Sequence, residues 1–286
     1  MNTIPEDLHF PLDDVNIRRT DTPKEIGTPL FTNSWMSISE DEFRMTVDHV
    51  GTFYAGFGSE VEYSSVPGAS PSSLELYLNG SVYGAILHQR RILPIHGSSF
   101  IFDGKGVMIC GESGAGKSSI TAAFCLNGAE FLTDDVTPFQ FENNRPLIIP
   151  RSDRIKLWEN SLNQLSRNKQ ELTKIRPEDE KYYMPLEQSE SDTHPLHTVL
   201  LIKVKESGEP EFEPVHKVSA FSALHDEIYR LEYLNYMQEA KNSYLKKIVD
   251  ICNHCNIITV HRPSDISIIE MHTILAEYLP GISHRY

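Results

Sequence analysis

The stretch Gly111-Glu112-Ser113-Gly114-Ala115-Gly116-Lys117-Ser118 satisfies the pattern G-x-x-x-x-G-K-[ST] in full. Its residue types suit one task. Glycines let the backbone curl so that successive N–H groups point inward, and a helix starting at the loop's end offers its positive terminus to phosphate oxygens. Lys117 is expected to meet the outer phosphates and Ser118 to hold Mg²⁺ by its hydroxyl, with the binding stretch running on to Ser119. A nucleotide with Mg²⁺ needs a carboxylate as second anchor, and transfer to a hydroxyl benefits from a base that orients the acceptor. Asp134 and Asp135, which end the run Phe131-Leu132-Thr133, supply two carboxylates. Neighbouring residues of a regular strand point to opposite sides, so one is expected to face the metal and the other the acceptor. His96 is the third member, because a neutral imidazole beside such a base can tune its proton affinity.

These residues need elements that bring them together. Ser98 to Phe102 and Gly106 to Cys110 are short apolar runs around Asp103-Gly104-Lys105, the signature of a tight antiparallel hairpin. With Asp103-Gly104 as a two-residue turn, Phe102 faces Lys105, and the ladder continued outward sets His96 opposite Gly111. Ile120, Ala123 and Phe124 predict a helix after Ser118 that Gly128 terminates, and Phe131 to Thr133 the next buried strand. Upstream, roughly the first 35 residues read as an irregular arm rich in Pro, Asp and Thr. Residues 45 to 92 read as strands and turns, with a helix over 72 to 89. Downstream, strands are expected over 146–150, 198–202 and 257–260, and helices from near Ser219 through Leu231 and over 266–279. A polar segment runs from Asn160 to Thr193.

Composition narrows the class. The chain has 286 residues with 26 Lys+Arg against 40 Asp+Glu, a formal charge of −14 that repels a phosphate backbone and argues against nucleic-acid binding. No stretch approaches the ~20 apolar residues of a membrane span, and the acidic start MNTIPEDLHFPLDD lacks the pattern of an export signal, so no membrane partner and a cytoplasmic location are expected. The four cysteines, Cys110, Cys125, Cys252 and Cys255, are too scattered for a disulfide framework. Cys252 and Cys255 have the spacing of half a zinc site with no second pair, and a helix-to-strand junction carrying core thiols is the simpler expectation.

Leu93-Pro94-Ile95-His96-Gly97-Ser98, the loop Gly111 to Ser118, and Asn127-Gly128-Ala129-Glu130-Phe131-Leu132-Thr133-Asp134-Asp135 resemble the catalytic domain of the HPr kinase/phosphorylase family. The likeness is best to short divergent relatives, including kinases encoded beside lasso-peptide precursors, which also seat segments like Arg154-Ile155-Lys156-Leu157-Trp158 and Arg262-Pro263-Ser264-Asp265. The Leu-Glu-x-Arg-Gly-Ile-Gly element of the full family has no counterpart here. The resemblance implies an α/β fold: a P-loop kinase domain of the HPr kinase and phosphoenolpyruvate carboxykinase type with a mixed sheet over 92–286, preceded by a smaller β-rich region over 1–91. It also implies that Asp134 is the proton-accepting base assisted by His96, and that Asp135 and Ser118 hold Mg²⁺.

The expected activity is that of an ATP- and Mg²⁺-dependent kinase acting on a serine-type hydroxyl of a peptide or small protein. Lys117 and the loop amides would hold the phosphates, and Arg151 and Arg154 are candidates for contact with transferred phosphate or an acidic substrate tail. A small-molecule hydroxyl kinase would use the same residues with a different acceptor pocket. A nucleotide-sensing module would need no acceptor base. Full-length family relatives assemble as hexamers, so a homo-oligomer stays open, although no interface can be read from the residues.

Overall fold

The computed structural model describes residues 8, 10–176 and 178–282, without the side chain of Lys217. Two compact units form: residues 1–94, 175–179 and 229–245 in the first, and 95–174, 180–228 and 246–286 in the second. The division is thus discontinuous, since two later segments join the N-terminal region expected to end at residue 91. Within the arm expected to be irregular, residues 1–7 and 9 lie outside the described residues, but a strand forms further along.

The first unit is built on a six-stranded sheet of β1 (Asn16–Arg19), β2 (Phe31–Thr32), β3 (Met36–Ile38), β4 (Glu42–Val47), β5 (Gly51–Gly56) and β6 (Glu60–Ser65), in the order β1-β6-β5-β4-β3-β2. β1 is drawn into order by pairing parallel to β6, with Arg18 bonded to the buried Glu62 at 2.5 Å. Next come α1 (Pro71–Tyr77), capped by the Ser70 hydroxyl, a π-helical turn over Leu78–Val82, and α2 (Tyr83–Gln89). This covers the helix predicted over 72–89, with Gly80 inside the wider turn.

β7 (Leu93–Ile95) leads into the second unit, where β8 (Gly97–Phe102) and β9 (Lys105–Gly111) form the predicted hairpin with Phe102 opposite Lys105. Asp103 and Gly104 both take positive φ, 51° and 69°, the requirement of a two-residue turn that follows the strands' twist. α3 (Lys117–Leu126), β10 (Glu130–Thr133), β11 (Thr137–Glu142) and β12 (Arg145–Ile148) follow. The polar segment holds more structure than its composition suggested: after β13 (Arg154–Trp158) come α4 (Glu159–Gln164), β14 (Thr173–Lys174) and β15 (Lys181–Pro185), and β13, β15 and β14 make a small antiparallel sheet. The chain closes with β16 (His194–Lys205), β17 (Glu211–Pro214), α5 (Lys217–Asp226), α6 (Gln238–His254), β18 (Asn256–Pro263) and α7 (Ile268–Tyr278).

The main sheet carries the order β10-β8-β9-β16-β18-β17, with β9, β16 and β18 parallel, while the first residues of β16 pair with β12. α3 is wedged between two apolar layers. Ile120 and Phe124 meet Phe100, Ile109, Leu200 and Met271, while Ala122 and Ala123 meet Ile155, Leu157 and Tyr182 of the small sheet. Complete burial of a side chain such as Phe124 contributes about 2–3 kcal/mol, which fixes the helix that starts at the loop.

Two helix expectations need correction. α5 stops at Asp226 and does not reach Leu231, because the Glu227 carbonyl accepts the His96 N–H at 2.7 Å and Ile228 bridges to Ile95. α6 was anticipated only at its end, by the helix-to-strand junction expected at Cys252 and Cys255; its stripe Ala240, Tyr244, Ile248 and Ile251 follows helical spacing and is buried. Cys255 sits at the junction of α6 and β18, its thiol directed to the Leu196 carbonyl at 3.3 Å. Among the described residues no helix is long and apolar enough to cross a membrane.

In the first unit His88 is 1% exposed, with Nε2 2.9 Å from the Tyr229 carbonyl and Nδ1 3.1 Å from the Tyr244 hydroxyl. Burial lowers its pKa from 6.5 to about 4, against the opposing pull of backbone carbonyls. The unfolded chain therefore takes up a proton between pH 6.5 and 4 that the folded chain refuses. The stabilisation is complete above pH 6.5 and falls away as the pH drops through that window, by about 3 kcal/mol in total. Urea unfolding at pH 7 and pH 4.5 should show a smaller acid loss in His88→Gln than in the wild type, and equal losses would refute this assignment.

Candidate functional site

β8 runs antiparallel between β9 and β10. The start of β8 therefore lies at the same sheet edge as the ends of β9 and β10. One edge thus gathers His96, the glycine-rich loop and the Asp134-Asp135 pair, although β8 lies between β9 and β10.

The loop leaves β9 at Gly111, whose φ of 137° and position 2.5 Å from the Ile202 carbonyl, measured from an added Cβ, leave no room for a side chain. Glu112, Ser113 and Gly114 are exposed, and Ala115 is buried. The Ala115 carbonyl accepts Arg262 Nε at 3.1 Å, which ties the loop to the end of β18. Gly116 caps α3 in the left-handed region. Lys117, expected to meet the outer phosphates, is 8% exposed. Its ammonium lies across the loop, donating to the Gly111 carbonyl at 2.7 Å and the Glu112 carbonyl at 3.2 Å. Ser119 shares a hydrogen bond with Ser161 of α4 at 2.8 Å.

The two aspartates differ sharply. Asp134 Oδ1 accepts the Ser118 hydroxyl at 2.7 Å and the Ser98 hydroxyl at 2.5 Å, and its Oδ2 accepts the Lys156 backbone N–H at 2.8 Å. Asp135 turns away, with φ 71° in a three-residue turn closed by the Val136 N–H on the Asp134 carbonyl at 2.9 Å. Its Oδ2 pairs with Lys156 Nζ at 2.8 Å, and its Oδ1 lies 3.9 Å from His96 Nδ1. Burial raises the Asp135 pKa, but Lys156 and His96 outweigh it and hold the carboxyl well below the usual range. Burial also pushes His96 below the usual histidine value, against the pull of Asp135.

This pairing reverses the expected one. Ser118 was to share Mg²⁺ with Asp135, and His96 to assist Asp134; the structure joins Ser118 to Asp134 and sets His96 beside Asp135. The expected pairing was the one the resemblance implies; here it is set locally, since β10 has an irregular register between Phe131 and Thr133 and Asp135 leaves the extended conformation altogether. The two carboxylates still face different surroundings. The Ser118 hydroxyl and Asp134 carboxylate are hard oxygen donors of the kind Mg²⁺ takes beside phosphate oxygens. Among the described residues no group of three or more His, Cys, Asp or Glu forms a metal cage by itself.

A cleft of about 520 Å³ joins these parts, lined by Ser113, Gly114 and Gly116 to Ser119 of the loop and its helix, by His96 and Asp135, and by Lys156, Trp158, Lys181 and the acids Glu159 and Glu180. The small sheet lends it one face. Trp158 pairs with Lys181 and Lys156 with Tyr183, so these four share a face, while Ile155, Leu157, Tyr182 and Met184 turn to α3. Arg151 and Arg154, the expected substrate cations, do not line the cleft. Arg151 is exposed, and the Arg154 guanidinium lies 4.3 Å from the Tyr183 ring. Lys156, Lys181 and Ser98 were missed by sequence reasoning. The alternation Arg154, Lys156, Trp158 was the available signal for a polar sheet face, whereas Ser98 sits among residues that read only as strand.

No family profile matches the chain. No curated protein matches it either. Among solved structures it is similar to the Hpr(Ser) kinase/phosphatase from Coxiella burnetii, with a TM-score of 0.35 and 13% identity, over 65% of this chain and 96% of that one. A likeness at that level leaves the chemistry to the geometry of the site.

The donors converging on Asp134 yield a stability prediction. Ser98 is fully buried, and Ser98→Ala removes one hydrogen bond to a carboxylate, which should cost about 1.5–3 kcal/mol. Denaturant unfolding checks this. A change within error would mean that the Ser98 hydroxyl does not hold the carboxylate.

Proposed function

We propose that the protein is an ATP- and Mg²⁺-dependent kinase that phosphorylates a serine-type hydroxyl of a peptide or small protein. The observation that carries this reading is the division of labour between adjacent carboxylates. Asp134 is bonded to the phosphate-loop hydroxyl Ser118, and Asp135 is turned into the same cleft beside His96. A binding module has use for the first carboxylate alone. The second, in a strained turn, suits a group that must meet an acceptor.

In this reading the loop amides and Lys117 hold the phosphates of ATP, with Lys117 leaving the carbonyls of Gly111 and Glu112 as they arrive. Mg²⁺, held by Ser118 and Asp134, would offset the charge of the terminal phosphates. Asp135 takes the proton of the acceptor hydroxyl, and His96 orients that carboxylate. These roles exchange the two aspartates relative to the family resemblance. Catalysis would rest on positioning and charge stabilisation.

The test is transfer of radiolabelled γ-phosphate from Mg·ATP to a panel of serine peptides, small proteins and small hydroxyl compounds. Lys117→Ala should abolish transfer. It should also cost about 1–3 kcal/mol of stability, because the buried Gly111 carbonyl loses its donor. Wild-type turnover by the folded variant would refute the phosphate-loop assignment, and labelling of small hydroxyl compounds alone would change the acceptor class.

The aspartates should separate in the same assay. Asp134→Asn should weaken Mg·ATP binding at least ~10-fold, whereas Asp135→Asn should bind within about threefold of wild type and lose transfer by about 10²- to 10⁴-fold. Calorimetric binding and single-turnover rates decide it, and the opposite pattern would restore the assignment implied by the resemblance.

A further inference from the structure

The lysines of the small sheet are a component of the site that neither the motif nor the paired aspartates supply. Three lysines enter one cleft: Lys117 from the loop's helix, and Lys156 and Lys181 from the small sheet. Lys117 is taken by loop carbonyls and Lys156 by Asp135. Lys181 differs from both. Its ammonium lies 5.5 Å over the ring of Trp158, which is half exposed, and it shares the field of Asp135, Lys156, Asp134 and Lys117. Two acids of the small sheet and its neighbouring helix also line the cleft, but each is engaged elsewhere: Glu180 bonds Lys174 and Tyr182, and Glu159 bonds Lys169. Burial lowers the proton affinity of Lys181, as expected for a charge kept partly dry.

We propose that Lys181 is the cation that stabilises the phosphoryl group in flight, approaching it from the small sheet that shares the cleft with the phosphate loop. The inference rests on the kinase reading above. In the step concerned, the bond from the γ-phosphorus to the oxygen bridging the β-phosphate breaks and its electron pair leaves with ADP. A bond forms between that phosphorus and the acceptor oxygen, whose proton passes to Asp135. Charge on the equatorial oxygens of the moving group has the loop amides and Lys117 on one side only. Lys181 meets it from the small sheet and exchanges no proton. Trp158 fixes the lysine through its ring, which lies under the ammonium. The small sheet thereby supplies within the chain the kind of charge that some phosphoryl-transfer proteins receive from a partner's arginine.

The proposal predicts binding that depends on the transition-state charge and not on ADP alone, so it can be read without knowing the acceptor. Trp35 and Trp158 are the chain's two tryptophans, and Trp35→Phe leaves Trp158 as a reporter beside Lys181. In that background, fluorescence titration with Mg·ADP should tighten at least ~10-fold when aluminium fluoride, a mimic of the moving phosphoryl group, is added. Lys181→Met should bind Mg·ADP within about threefold of wild type and lose the fluoride-dependent gain. Its turnover with Mg·ATP should fall by about 10²- to 10³-fold with little change in KM. Lys181→Arg, which keeps the charge and guards against a folding defect in the methionine variant, should recover part of the gain. An undiminished gain in Lys181→Met, or a loss of Mg·ADP affinity as large as the loss of the gain, would overturn the proposal. Failure of the wild type to bind Mg·ADP at all would instead overturn the kinase reading on which it stands.

Discussion

The Asp134 carboxylate is the constraint on which the second unit's site depends. It accepts one hydroxyl from the hairpin strand β8, one from the start of α3 and one backbone N–H from β13. Three elements far apart in sequence thus converge on one side chain. A partly buried carboxylate needs such partners, since an ionised group taken from water without them is disfavoured. Meeting that need fixes where the phosphate-loop helix begins relative to the small sheet. A chain of buried hydroxyls behind it, Ser99 to Thr133 and Thr133 to Thr137, each at 2.6 Å, reaches the Gly97 carbonyl and locks β8 to the end of β10.

Lys156 couples the two aspartates through a single residue. Its backbone N–H holds Asp134 while its ammonium holds Asp135, so the position of β13 sets both carboxylates at once. The strand itself is held by the packing of Ile155 and Leu157 against Ala122 and Ala123 of α3. The apolar face of the small sheet therefore decides where its polar face, with Lys156, Trp158 and Lys181, stands in the cleft. This makes the small sheet part of the site, although it contributes nothing to the phosphate-loop motif.

Much of this was legible in the sequence where the signal is local. The loop pattern, the Asp103-Gly104 turn and the register from Phe102 and Lys105 inward depend on neighbours a few residues apart, and the hairpin formed as expected. The partnership of Asp134 with Ser118 was not legible, because it depends on a strand irregularity and on Asp135 entering the left-handed region, both set by tertiary contacts. Arg151 and Arg154 looked like substrate cations because they stand near the strand after the aspartates. Arg154 shares the face of Lys156 and Trp158 but stands at the other end of β13, opposite Pro185 and over the Tyr183 ring; that placement is set by β15, which a polar segment with little periodicity separates from β13. Of the helix α6 only the end was legible, at the Cys252 and Cys255 junction, since the apolar stripe of its body lay within a strongly polar sequence.

The turn at Asp135 explains why two adjacent, chemically identical residues can hold unlike roles. In a regular strand they would differ only by the face they point to, and both would remain tied to the sheet edge. The positive φ lifts Asp135 out of the ladder, while Asp134 keeps three donors from the protein framework. One carboxylate becomes part of the scaffold and the other stands 31% exposed in the cleft, with Lys156 and His96 as its neighbours. Environments that diverge in this way are how a site assigns separate tasks to a pair of acids. The strain of the left-handed residue, of order 1 kcal/mol or more, is offset by the hydrogen bonds converging on its neighbour. The same network that stabilises the fold therefore maintains the conformation that presents the second acid.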